Sequence, residues 1–246
     1  MSEPHETAAF RAARDGVLER IRAACSRAGR EPRDVTLVAV SKTVPAERLR
    51  AAAAAGLTLL GENRVQEGVA KRPLVPGAAW HLIGPLQSNK VRQAVTAFDA
   101  IETVDSVELA ARIARIAAEE GRAPYPVFLQ VNVDEDAAKA GFDPAKVEAV
   151  LPEVASLPGL ELAGLMTIGR LAGTPGEARA TFARLRELSG RLRVAEPRLG
   201  PALSMGMSDD FELAVEEGAT HVRVGRALFG ARPAAPARPT REGSLP

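Results

Sequence analysis

Lysine is scarce in this chain: of 32 basic residues only five are lysines, namely Lys42, Lys71, Lys90, Lys139 and Lys146. Arginine stays protonated, so most of the positive charge is closed to amine nucleophile chemistry. Cysteine is scarcer still. Cys25 stands alone, which excludes an intrachain disulfide, and its Ala-rich helical surroundings predict a packed thiol. The net charge is +1, so no basic field favours nucleic acid or an anionic membrane. No apolar stretch approaches the ~20 residues of a membrane span. Met1 to Glu6 has no basic segment leading into an apolar core, so no secretory signal is expected, and a cytoplasmic location follows as the default. The sequence also lacks a Gly-x-Gly-x-x-Gly after its first apolar run, a Gly-x-Ser-x-Gly elbow and a Cys/His cluster with metal spacing.

What is present is a regular alternation. The 246 residues, 46% of them hydrophobic, suit one barrel-sized core or two small ones. Residues 6–28 have helical spacing that puts Phe10, Val17, Ile21 and Cys25 on one face. Eight short apolar runs follow and read as strands: 35–40, 57–60, 80–83, 100–104, 125–133, 160–166, 202–205 and 221–224. Helical segments separate them. Pro45 opens one, Ser88 and Asn89 are expected to cap another, and Asp209 to Glu217 forms a third. Strand–helix alternation implies parallel βα units, and eight of them in this length match an α/β TIM (β/α)8-like barrel, with an open doubly wound sheet as the alternative. The expected organisation is an N-terminal helix over residues 1–34 packed on a single barrel domain over 35–232. A Pro-rich tail at 233–246 is expected to be disordered.

In a TIM barrel the chemistry sits at the C-terminal ends of the strands. Lys42 lies just beyond the first strand, where a desolvated amine could form a Schiff base with a carbonyl; a plain surface charge is an equal competitor on position alone. The loops after strands seven and eight, Ser204 to Asp210 and Gly225 to Gly230, fall where this fold often holds phosphate. Gly206 and Gly225 would let the backbone approach an anion, although Gly225 could be a turn and Ser208 or Asp209 a helix cap. A Schiff-base lysine with a phosphate cup describes pyridoxal 5′-phosphate (PLP). Arg223 interrupts the eighth apolar run and needs a partner, either an acid in the outer layer or the pyridine nitrogen of PLP. An always-charged donor there would weaken the ring as an electron sink. Asn63, His81 and Met166 also fall in or beside strands two, three and six; a cap, a core histidine and a core filler are the plainer readings.

These residues carry a resemblance. Ala39-Val-Ser-Lys-Thr43, Gly61-Glu-Asn63 with Val65-Gln-Glu-Gly68, Trp80 to Lys90, Gly164-Leu-Met-Thr167, Leu203 to Asp210, and Val222-Arg-Val-Gly225 with Phe229-Gly-Ala231 are similar to the pyridoxal phosphate homeostasis proteins, the YggS/PROSC family. The resemblance spans roughly residues 35–232. It implies a TIM-like barrel like the N-terminal domain of alanine racemases (fold-type III among PLP proteins), with Lys42 as the PLP lysine. Ser204, Gly225 and Arg226 are then implied at the phosphate and Arg223 at the pyridine nitrogen. The implied role is binding and buffering or delivering PLP, with apo-enzymes as recipients, no catalytic turnover and a monomeric state. Arg64, Val44, Ala140 and Arg226 depart from common family patterns, Arg226 replacing a frequent Thr.

A PLP-dependent amino-acid racemase and a Schiff-base aldolase are the competing readings. Racemisation needs an acid–base group on each face of the substrate carbanion. Tyr125, the one tyrosine, begins the fifth strand and so falls at the wrong end of a barrel, although His81 could serve as a base. An aldolase leaves Arg223 unexplained. The carrier is therefore the favoured reading.

Overall fold

A computed structural model describes residues 3–169 and 174–230. The first apolar run becomes β1 (Thr36–Val40), and the chain then alternates through α2 (Ala46–Ala54), β2 (Leu59–Glu62), α3 (Val65–Lys71), β3 (Ala79–Leu82), α4 (Val91–Ala97), β4 (Ala100–Val104) and α5 (Val107–Glu119). The second half repeats the pattern with β5 (Tyr125–Gln130), α6 (Val147–Ala155), β6 (Leu160–Met166), α7 (Pro175–Ala195), β7 (Ala202–Met207), α8 (Phe211–Glu216), β8 (His221–Val224) and α9 (Arg226–Phe229). All eight strands are parallel and close in sequence order into a barrel, β8 pairing with β1. The open-sheet alternative is thereby excluded.

Local sequence sets these elements. β1 is rich in β-branched residues and buries Val38, Ala39 and Val40, as expected of a strand covered on both faces. Ser106 caps α5 by accepting from the Leu109 N–H at 3.2 Å, and the helix turns Leu109, Ile113, Ile116 and Ala117 inward. Thr174 and Glu177 form a reciprocal capping box at the start of α7, with Pro175 in the first turn. The N-terminal helix α1 (Glu3–Arg27) buries Phe10, Val17, Ile21 and Cys25, all on the face its spacing predicts. Arg20 pairs with Glu212 at 2.7 Å and Arg27 with Glu216 at 2.6 Å, fixing α1 to α8. Phe10 meets Phe229 edge-on at 5.5 Å, fixing α1 to α9. No helix among the described residues is long and apolar enough to cross a membrane.

Several boundaries differ from expectation. Ser88 and Asn89 do not cap a helix; with Lys90 they form a 3-10 turn ahead of α4 and make no side-chain cap bond. α8 is capped by neither Ser208 nor Asp209: its cap position is Asp210, whose carboxylate accepts from the Met207 N–H at 2.6 Å. The short α9 was not anticipated, because one turn of helix carries no periodic signal. The Pro-rich tail at 233–246 lies outside the described residues.

β7 runs two residues further than expected, to Met207, because it contains a bulge. Ser204 pairs with His221 but Met207 pairs with Arg223, so β7 spends an extra residue there. Gly206 absorbs it at φ 89°, and a Cβ on it would lie 2.5 Å from the Ala214 Cβ and 3.0 Å from the Phe211 Cα. Gly206→Ala should therefore lower thermal unfolding stability by roughly 2 kcal/mol or more. Gly190→Ala, in α7 with nothing within 4 Å of its Cβ, should be neutral or slightly stabilising.

Asp99 ties together the opposite end of the barrel. It accepts from the Trp80 N–H at 2.8 Å, from Arg72 at 2.9 and 3.0 Å and from Arg122 at 3.1 Å. Burial opposes its ionisation, yet these donors and charges hold the carboxyl below its ordinary value. A depressed folded value gives stability that is complete above the unfolded value, near 3.8, and lost as pH falls through the folded one. Asp99→Asn should destabilise the protein at neutral pH and make its unfolding free energy less acid-sensitive than that of the parent, as measured by denaturant titration across the acid range.

Candidate functional site at the barrel mouth

A cavity of about 420 Å³ opens at the C-terminal ends of the strands, bounded by Val40, Lys42, Asn63, Arg223, Gly225 and Arg226 together with the start of α7. Its size is within the ~300–1,000 Å³ usual for small-molecule sites. β1 ends at Val40, and the next four residues form a turn closed by the Val44 N–H donating to the Ser41 carbonyl at 3.0 Å. Val40 and Lys42 line the same cavity, so the barrel-facing side of β1 is the one that carries the lysine. Thr43, the next residue, has φ 66°, a region that β-branched side chains rarely occupy.

The turn rests on buried charge. Ser41 Oγ donates to Glu62 Oε1 at 2.9 Å, and Lys71 Nζ donates to the same oxygen at 2.7 Å. Lys71 also donates to the Ser41 carbonyl at 3.1 Å and to Glu67 Oε2 at 3.0 Å, while the Thr43 N–H donates to Glu67 Oε2 at 3.1 Å. Burial pushes the Glu62 carboxyl up, with Lys71 and Ser41 opposing. At Glu67 burial acts the same way, but Lys71 and the Thr43 N–H prevail and hold its carboxyl low.

Arg223 reaches the cavity from β8 and is almost fully buried. Its Nη1 donates to Ser204 Oγ at 2.6 Å and its Nη2 to the Thr167 carbonyl at 2.7 Å. Ser204 Oγ in turn donates to Glu102 Oε2 at 2.5 Å, and Glu102 Oε1 lies 2.6 Å from His81 Nδ1. A file of polar groups thus runs from the cavity into the barrel, with the Glu102 charge opposing that of Arg223. Desolvation opposes ionisation of the fully buried Glu102, but His81 and Arg223 outweigh it and hold the carboxyl below its ordinary value. His81 stacks on His221 at 6.2 Å, and burial pulls His221 down to about 4, so that ring is neutral near pH 7. The bonds to Ser204 and Thr167 orient the guanidinium.

The remaining wall carries Ser208, Asp209 and Asp210 after β7 and Gly225 and Arg226 after β8. The Gly225 N–H lies 3.1 Å from Ser208 Oγ, and both residues line the cavity. Arg226, which pairs with Asp209, lines it beside them. The structure therefore brings Lys42, Asn63, Arg223, Gly225 and Arg226 together among the residues singled out from sequence. Ser204, Gly206, His81 and Met166 are not on the wall: Ser204 and Met166 are fully buried, Gly206 forms the bulge, and His81 is turned to Glu102. Ser208, weighed from sequence only as a cap, takes the wall position. Glu62, Glu67, Lys71 and Glu102 were also missed as site residues, although an acid inside an apolar run, as at Glu102, signals a buried partner. Gly84 went unnoticed too; a Cβ on it would lie 2.2 Å from the Asn63 carbonyl oxygen, so only glycine lets that loop pack against Asn63.

An amine, an oriented guanidinium and a corner made of Ser208, Gly225 and Arg226, with Asp209 and Asp210 beside them, line one cavity. The family profile described as "Alanine racemase, N-terminal domain" matches residues 15–233. The pyridoxal phosphate homeostasis protein of Pseudomonas aeruginosa is 46% identical over 219 residues, 88% of this chain and 93% of that protein. Its counterpart in Escherichia coli K12 is 41% identical over 224 residues, 88% of this chain and 94% of that one. The solved structure of PipY from Synechococcus elongatus with PLP bound is 46% identical, with a TM-score of 0.78, and is aligned over 87% of this chain and 100% of PipY. Alanine racemase of Clostridium difficile shares the fold at 17% identity, with a TM-score of 0.68 over 88% of this chain and 60% of its own. With a profile spanning most of its length and relatives this similar, the chain belongs to the family of pyridoxal phosphate homeostasis proteins, which shares the barrel of the alanine racemase N-terminal domain.

Proposed function

We propose that this protein holds PLP at the barrel mouth as a Schiff base on Lys42 and buffers it or delivers it to apo-enzymes. The observation that carries the reading is the convergence of Lys42, Arg223, Gly225 and Arg226 on one cavity. When bound, PLP supplies an aldehyde for a primary amine and an electron-poor ring. Lys42 would hold the aldehyde end, Arg223 would donate to the pyridine nitrogen, and Ser208 with the Gly225 and Arg226 backbone would meet the phosphate. Ser204, first considered for the phosphate, is better assigned to orienting Arg223.

The carrier role is favoured over a racemase by the position of the candidate bases. Tyr125 is buried at the N-terminal start of β5, and its hydroxyl donates to the Phe98 carbonyl at 2.8 Å. Burial pushes that phenol well above its usual range, so it is a poor proton shuttle as well as a remote one. His81 is occupied by Glu102. An always-charged Arg223 at the ring nitrogen would also disfavour carbanion chemistry. A cytoplasmic location fits the free, buried Cys25.

Purified protein with PLP should absorb in the visible as a protonated Schiff base. After borohydride reduction, peptide mass mapping should place the pyridoxyl group on Lys42, and Lys42→Ala should abolish it. A pyridoxyl group on Lys90 or Lys139 of the parent would overturn the assignment. For the carrier role, the loaded protein should activate an apo-enzyme of the PLP class on mixing. Multiple turnovers when the loaded protein is incubated with a panel of L-amino acids would favour the enzyme reading instead.

A further inference from the structure

We propose that Glu67 and Lys71, braced from below by Glu62, are positioning residues that hold the Lys42 amine in its reactive placement. The proposal rests on the Lys42 reading above and deepens it. The two peptide groups flanking Lys42 are each gripped by a side chain of α3. On one side the Ser41 carbonyl accepts from Lys71 Nζ at 3.1 Å; on the other the Thr43 N–H donates to Glu67 Oε2 at 3.1 Å. The two grips are joined, because Lys71 and Glu67, one helical turn apart, are 3.0 Å from each other. Lys42 therefore sits at the open side of a closed ring of bonds.

Two further observations show that the ring does more than decorate the turn. Thr43 is held at φ 66°, which a β-branched residue adopts only where its surroundings over-determine it. Its N–H is the group that Glu67 takes. Beneath the ring, Glu62 is fully buried with Oε1 accepting from both Lys71 and Ser41, while Oε2 has no hydrogen-bond partner among the described residues. One oxygen of a buried acid shared by Lys71 and Ser41 ties the helix and the turn to the same point, so neither shifts without the other. Lys71 uses its three N–H donors on Ser41, Glu62 and Glu67, so this second amine beside the turn is a structural cation rather than a competing nucleophile. The ring also gives a role to the Gly61-Glu-Asn63 and Val65-Gln-Glu-Gly68 segments, of which only Asn63 reaches the cavity wall.

The test uses the full chain and two ligands. PLP reports on Lys42 through the visible absorbance of its Schiff base and the rate at which it appears. Pyridoxine 5′-phosphate, which has no aldehyde, reports on the cavity alone. Lys71→Met should slow and weaken Schiff-base formation roughly tenfold, as expected for a displaced reacting group, while pyridoxine 5′-phosphate binding stays within about twofold. Glu67→Ala, on the more exposed arm, should give the same split, which covers the case in which Lys71→Met does not fold. The double variant should be no worse than either single one, since both break one ring. Lys71→Arg, which keeps the cation, should recover part of the rate. Schiff-base formation at the parent rate in both single variants would overturn the proposal, as would equal weakening of both ligands or multiplied losses in the double variant. A reducible pyridoxyl group retained by Lys42→Ala would instead overturn the Lys42 reading, and this proposal with it.

Discussion

The pairing of β8 with β1 is the constraint on which the site depends. Thr36 to Ala39 run alongside His221 to Val224 in one parallel ladder, with Val38 opposite Arg223. Without that ladder, Lys42 and Arg223 are separated by most of the chain; with it, they stand on adjacent strands at one mouth. Parallel strands with helical crossovers put every strand's C-terminal end on the same face. Short segments from both ends and the middle of the sequence thus become the walls of one cavity, and the helices outside supply the support.

Support at this mouth is electrostatic as much as steric. Two buried acids work beneath it, Glu102 through Ser204 on Arg223 and Glu62 through Ser41 and Lys71 on the Lys42 turn. Each leaves a serine hydroxyl between the acid and the group it steadies. A buried charge is tolerated only with a partner, and once paired it is hard to move, because any displacement strands both partners in a low-dielectric interior. The scarcity of lysine fits this arrangement: where a fixed charge is enough, as at Arg223, the chain uses the bidentate, always-charged guanidinium.

The barrel was legible because its signal is repeated: eight apolar runs, each with a helical segment behind it, point to one architecture even with individual boundaries wrong by a few residues. Lys42, Arg223 and Gly225 were legible for a related reason, since each breaks or ends such a run where the fold places chemistry. Ser204, implied at the phosphate by the resemblance, lies buried between Glu102 and Arg223, and the extra residue at Gly206 separates it from the part of the β7 loop that lines the mouth. Ser208, beyond the bulge, reaches the wall, and Ser204, before it, points at Glu102. The grip of α3 on the Lys42 turn was invisible for another reason. It depends on how one helix packs against a neighbouring loop, and Glu67 and Lys71 read from sequence as an ordinary surface pair at helical spacing.

The contact between α1 and α9 has a consequence for the order in which the molecule can be completed. Phe10 belongs to the first described helix and Phe229 to the last described turn, and they pack on each other. Arg226, at the cavity wall, begins that turn. The lysine side of the mouth is synthesised long before its partners on β8, and a nascent chain that has Lys42 but not β8 has no cavity around it. Contacts this far apart in sequence carry a loop-closure cost that is met before they form. A ligand gripped from both ends of the sequence consequently binds the finished barrel and not its precursors, and each bound molecule draws the population toward the closed state.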